Sequence, residues 1–283
     1  MRFLTLSIFV LFLQTAKSVV ILDTLYINRG SVTVVDYTIL TCVFNDSPVF
    51  YKQNKILELN SGDQLLLHVI NTDVLEHTFT IDGLIETGNV IPGGGSDDFF
   101  VSPPADGAYR FYSDKPYGKL IGASSIIMVG YENHFRYYWN LFDQQDTLTD
   151  KIDAGTATTI PSDYTPDIFN INMKVGTELT TDTLSYIMQS IGDTIIVAIV
   201  NSGNMHHNLH WHGYHVTILN ATENSQMIGW IKDSFPVVIG EVMLVMLVPD
   251  QDGMFMVHNH NMITVTTNGV YPGGMMQMMT IMP

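Results

Sequence analysis

Two short stretches hold the residues best suited to chemistry: HHNLHWHGYH at 206–215 and VHNHNM at 257–262. Seven of the ten histidines lie in them, leaving His68, His77 and His134 elsewhere. The β-branched and apolar flanks, VTIL after the first stretch and MFMV before the second, predict that each lies on a strand. Residues i and i+2 of a strand point to one side, roughly 6–7 Å apart. His210 therefore shares a side with His212, and His258 with His260. Where the two strands are neighbours, four imidazoles converge. Neutral imidazole is a borderline nitrogen donor suited to copper, zinc, iron or nickel, and a set without carboxylate or thiolate disfavours calcium and magnesium. The alternative is a group of surface or hydrogen-bonded core histidines, but two HxH pairs in one domain favour metal. His206 and His215 flank the motif as expected outer-shell or exposed residues.

The elements that must position these residues read as strands. Turn signals recur every 8–12 residues, valine, isoleucine, threonine and tyrosine are plentiful, and no long stretch carries a helical period. The first half offers KILEL, QLLLHVIN, HTFTIDG, FFVSP, YRFYS and SSIIMVG, separated by SGD, GGGSDD and PPADG. The second half repeats the order with INMKVG, DTIIVAIVNSG, the histidine strand, EVMLVMLVPDQDG, MFMVHNH and MMQMMTIM. Two tandem all-β sandwiches are the simplest account. The expected division is a leader at 1–18, a first domain at 19–132, a polar, helix-tolerant linker at 133–166 and a second domain at 167–283.

Arg2, the apolar run FLTLSIFVLFL and the small-residue pattern Ala16-Lys17-Ser18 predict a cleaved signal peptide, and hence secretion or periplasmic export. The run is too short to span a bilayer, and no later stretch looks transmembrane. Removing the leader leaves ten basic residues against 28 acidic ones, a formal charge of −18. That charge argues against nucleic acid or anionic lipid as partner and favours cations. Cys42 is the only cysteine, so no intrachain disulfide forms. There is no phosphate-binding loop, since GGGS at 93–96 lacks the lysine and helix that should follow. No GxSxG elbow is present either.

HNLHWHG at 207–213 is similar to the HPxHLHG motif of the multicopper oxidases, and the chain resembles their two-domain members built of cupredoxin domains over nearly its whole mature length. DSFPVVIGEVMLVMLVPDQDGMFMVHNH resembles the lead into that family's HCH strand, and YYWNL also matches. The resemblance implies tandem Greek-key sandwiches and copper, with His210 serving a type 2 ion and His212, His258 and His260 a type 3 pair. It also implies a homotrimer, with oxygen and a small reductant as reactants. Departures accompany it. Asn259 stands where the type 1 copper needs a thiolate, and Thr264 where it needs a histidine, so His207 and Met275 are all that remains of that site. In the first domain Thr80, Asp82, Tyr112 and Asp114 occupy ligand positions. Asp82, Asp114 and His77 are weak metal or outer-shell candidates.

Ten of the 16 methionines follow residue 242. Thioethers select Cu(I), although methionines alternating along strands also fill cores. Three functions follow from the sequence: a copper-binding protein without type 1 copper, which is favoured; a copper oxidase working without that centre; and a structural module without metal.

Overall fold

The computed structural model describes residues 18–35, 37–86 and 89–283, so the expected leader falls, apart from Ser18, outside the described residues. Strands dominate, because short alternating runs can bury one side each. Gln64–Asn71 puts Leu65, Leu67, Val69 and Asn71 inward, while His68 faces outward against Asp98 at 2.6 Å. In the first sandwich one sheet runs Tyr37–Asn45, Val20–Val34, Gln64–Asn71, Ser96–Val101. Leu57–Leu59, Ser124–Val129, Gly107–Tyr112 and Thr80–Ile81 form the facing sheet.

The second sandwich repeats the plan. Its larger sheet orders Ile168–Ile171, Phe135–Gln144, Ile195–Asn201, Val242–Leu247, Val216–Ala221 and Ile231–Lys232. Its smaller sheet orders Ile187–Ser190, Met276–Met282, Gly253–Asn259, His207–Trp211 and Ser234–Val237. Each half pairs its opening strand in parallel with a later one, Val20–Val34 with Gln64–Asn71 and Phe135–Gln144 with Ile195–Asn201. The molecule is thus two tandem cupredoxin-like Greek-key β-sandwiches. The repeat reaches single atoms. Asn71 Nδ2 donates to the carbonyls of Leu75 and Ile91, and Asn201 Nδ2 donates to those of Met205 and Val237.

Several elements differ from the sequence-based expectation. Residues 133–166, expected as a linker, open with Phe135–Gln144, a strand inside the larger sheet of the second sandwich. Its apolar side chains explain the difference, since Trp139 and Leu141 enter that sandwich's core. The helical tolerance of the segment is expressed in Asp146–Asp153, whose Leu148 and Ile152 join the core of the first sandwich. INMKVG is a turn rather than a strand, with Asn172 and Met173 at positive φ and the strand ending at Ile171. Val20–Val34 and Tyr37–Asn45 add two long strands ahead of KILEL.

Ile195–Asn201 is buried along its whole length because both of its sides are covered. Val197 and Ile199 face the sandwich core, while Ile196, Ala198 and Val200 meet Ala108, Ile126 and Met128 of the first sandwich. This explains an apolar run without alternation. Among the described residues no helix is long and apolar enough to cross a membrane.

Between the two sheets of the second sandwich, Trp139 stacks on Trp211 with ring centroids 5.0 Å apart and planes at 16°. Trp139 Nε1 donates to the Ser185 carbonyl at 2.9 Å, and both rings are about 1% exposed. Replacing so large a buried ring leaves a cavity. Trp139→Ala is expected to destabilise the second sandwich by about 3–5 kcal/mol, read from the midpoint of urea unfolding; a loss below about 1 kcal/mol would show that the stack is not central to that core.

Candidate metal centre

The His207–Trp211 strand lies between Ser234–Val237 and Gly253–Asn259, antiparallel to both. Its inward side carries His207, Leu209 and Trp211, all buried, and its outward side carries His210. Burial of Leu209 and Trp211 fixes the register, which sets His210 directly opposite His258 and Leu209 opposite Asn259. Beyond Trp211 the chain turns at Gly213, whose φ is +77°. A Cβ there would lie 2.5 Å from the Phe255 ring, so the motif requires glycine on two counts.

The four predicted imidazoles come together on the outer side of this sheet. Ring centroids are 4.7 Å apart for His210 and His212, 5.1 Å for His212 and His258, 5.8 Å for His210 and His258, and 5.7 Å for His210 and His260. The Nε2 atoms of His212 and His258 are 3.0 Å apart. His258 Nδ1 lies 2.9 Å from the Asn259 carbonyl, an acceptor, so that nitrogen carries the proton and Nε2 keeps its lone pair. His210 Nδ1 is held by Ser234 Oγ at 2.7 Å and the Asp233 carbonyl at 3.2 Å, which leaves its Nε2 free toward the cluster. His260 is exposed, and the other three are half-buried. Partial burial, followed by the charges of the three neighbouring histidines, lowers the pKa of His212 and so favours its neutral, ligating form.

The His212–His258 pair fits a borderline transition ion. Two nitrogens bound to one ion at 2.0–2.1 Å sit about 3.3 Å apart in tetrahedral geometry, close to the His212–His258 separation. Among the described residues no carboxylate forms a metal-holding group with these imidazoles. Met256 and Met276 share the outer side with His258, Met276 directly across from it and Met256 two residues before it.

Behind the cluster lies a second, buried group. Asn259 Nδ2 donates to His207 Nδ1 at 2.7 Å and lies 3.9 Å from Met275 Sδ, and all three residues are buried. His207 Nε2 is 3.3 Å from Asp143 Oδ2, near enough for charge attraction yet without hydrogen-bond geometry. Asp143 Oδ2 is held instead by the backbone N–H groups of Asn204 and Met205. Thr264 is buried and donates its hydroxyl to the Asn261 carbonyl.

The first-domain candidates are engaged elsewhere. Asp82 accepts from Arg110 Nε and Nη2, at 3.0 and 2.7 Å, and from the Tyr112 hydroxyl at 2.9 Å. Asp114 accepts the Thr78 hydroxyl. His77 is buried against Ser113, Asp73 and Cys42. His206 and His215 are exposed. Ser234 as the holder of His210, Asp143 as the neighbour of His207 and the grouping around Cys42 were not visible in the sequence motifs; lining up Asn71–Gly83 with Asn201–Gly213 would have placed His77 on His207.

Comparison with known proteins bears on the same residues. Residues 152–278 match the model of the multicopper oxidase family. No curated protein sequence matches the chain. Among solved structures, the chain is similar to the blue copper oxidase from Nitrosomonas europaea, with a TM-score of 0.78 at 20% identity over 93% of this chain and 86% of that one. It is similar to multicopper oxidase mgLAC, with a TM-score of 0.76 at 18% identity over 94% and 88% of the two chains. The copper nitrite reductase from Nitrosomonas europaea gives 0.71 at 13% identity over 93% and 94%. Residues 152–278 thus match the multicopper oxidase model and the described length shares the fold of these copper proteins, a likeness that implies copper as the cofactor.

Proposed function

We propose that the chain is an exported copper-binding protein that holds copper at His210, His212, His258 and His260 and has no type 1 centre. The observation that carries this reading is the 3.0 Å approach of the His212 and His258 Nε2 atoms on an outward side shared with His210. Copper bound there would supply one-electron redox chemistry. The protein's part is positional: Ser234 and the Asp233 carbonyl orient His210, and the Asn259 carbonyl fixes the tautomer of His258. Met256 and Met276 add soft donors beside the imidazoles, which suits Cu(I) as well as Cu(II).

A type 1 ion does not fit the buried group. The Asn259 amide takes the place of a thiolate and already occupies His207 Nδ1, and the Thr264 hydroxyl is committed to the backbone. His207 and Met275 are accordingly packing partners of Asn259 rather than ligands. Asp82 and Asp114 are structural anions in this reading, paired as described with Arg110 and Thr78. Export rests on the leader sequence of residues 1–18 and suits an acidic, cation-binding protein.

The runner-up is a copper-dependent oxidase acting without a type 1 relay. Its support is the exposure of His260 and the half-exposure of the other three, which leaves the cluster open to oxygen and a small reductant. Exposed Met262 and Ile263, just beyond His260, give apolar surface for self-association, and a homotrimer is the assembly we propose.

The test is copper per chain by elemental analysis after loading and dialysis. His210→Ala/His212→Ala is expected to lose about one ion per chain relative to wild type, and an unchanged copper content would remove the proposed site. Ser234→Ala should weaken copper binding by about 10- to 100-fold while leaving the fold intact, measured by competition with a chelator; wild-type affinity would show that orientation of His210 is immaterial. Oxygen uptake with a phenol should stay at background, whereas turnover that vanishes in His258→Ala would place the oxidase reading first.

A further inference from the structure

A second buried group of potential ligands lies in the first sandwich, away from the histidine motif. Cys42 of the Tyr37–Asn45 strand, Asp73 and His77 each present one ligand atom, all within 4.8 Å of one another. His77 Nε2 is 3.0 Å from Asp73 Oδ2 and 3.7 Å from Cys42 Sγ. Nitrogen and oxygen bound at about 2.0 Å, with sulfur at about 2.3 Å, would stand about 3.3 Å apart as N and O and about 3.6 Å apart as N and S in a tetrahedral site. His77 Nε2 is therefore spaced from both partners almost as one ligand of an ion is from the others, and Cys42 Sγ and the Asp73 carboxylate lie within 4.8 Å of each other. Cys42 and His77 are 0% exposed and Asp73 5%.

The surroundings support ligation. His77 Nδ1 lies 3.1 Å from Ser113 Oγ, a partner that can accept its proton and turn Nε2 toward Asp73 and Cys42. Asp73 divides its oxygens: Oδ1 faces outward, bonded by the Val74 N–H and 3.7 Å from the Arg29 guanidinium, and Oδ2 faces His77. A shallow surface cavity lined by Arg29, Thr72, Val74 and Asp153 reaches the outer side of Asp73. Charge balances as well. A thiolate and a carboxylate together neutralise a divalent ion, which removes the penalty of burying either anion alone. Without such an ion, burial and then the Asp73 charge push the Cys42 thiol pKa far up.

We propose that Cys42, Asp73 and His77 form a buried three-ligand site for one borderline divalent ion of the zinc class, separate from the histidine cluster of the second sandwich. The ion takes a thiolate sulfur, a carboxylate oxygen and an imidazole nitrogen, with the proton of Cys42 released to solvent on binding. It ties the Tyr37–Asn45 strand of one sheet to the His77 segment that follows Gln64–Asn71, and so serves as a structural clamp.

Cys42 is the only cysteine in the chain, so any thiolate-to-metal charge-transfer band reports this site alone. The experiment refolds the full chain in the presence of Co2+, which makes entry into a closed core irrelevant, then dialyses it and records the near-ultraviolet and visible spectrum with the cobalt content. A thiolate–cobalt band is expected in wild type and, at equal strength, in His210→Ala/His212→Ala. It should disappear in Cys42→Ser and in His77→Gln, each losing about one cobalt per chain. Absence of the band from the unmutated chain, a reading that depends on no variant, would overturn the proposal. So would cobalt retention by Cys42→Ser equal to that of wild type.

Discussion

The register between His207–Trp211 and Gly253–Asn259 is the constraint on which the site depends. A one-residue slip would turn His210 and His258 into the core and push Leu209, Trp211 and Val257 out to solvent. Each of those apolar side chains contributes about 1.5–3 kcal/mol when buried, so the slip is excluded by several kcal/mol before any imidazole is desolvated. The stack of Trp211 on Trp139 ties the same register to the opposite sheet. The histidines converge because their alternate neighbours are core residues, so the proposed metal site rides on hydrophobic burial.

How much of this the sequence discloses depends on whether a residue's partner is near it along the chain. The HxH pairs fix a shared side by the two-residue period alone, and the outward cluster is legible for that reason. Cross-strand and cross-sheet partners are not. Ser234 lies 24 residues from His210, and Asp143 lies 64 residues before His207, so neither carries a local signal. The strand Phe135–Gln144 hides inside a segment that turns polar after it, and its apolar residues are explained only once its pairing with Ile195–Asn201 is seen. Ile195–Asn201 itself shows no alternation, because the first sandwich covers its outer side.

The two halves keep one backbone plan and fill it with different chemistry. The asparagine hubs Asn71 and Asn201 and the buried histidines His77 and His207 stand at matching places. On the outward side, His210 and His212 answer to Thr80 and Asp82, and His258 and His260 to Tyr112 and Asp114. Buried backbone-bonding residues cannot change without leaving unmet polar groups, whereas outward side chains can. In the first half the outward positions have become an ion pair between Asp82 and Arg110 and a hydroxyl contact between Thr78 and Asp114. Ser113 and Asn259 likewise occupy one position and both reach Nδ1 of the buried histidine, so each sandwich gives that nitrogen a neutral partner.

The central claim is that copper sits on the outward imidazoles of the second sandwich and not in the buried group behind them. Anomalous scattering at the copper edge from crystals of the copper-loaded protein tests it most directly. The account predicts a peak within bonding distance of the His212 and His258 Nε2 atoms and none between His207 and Met275. Copper between His207 and Met275, or no peak at the outward histidines, would contradict it.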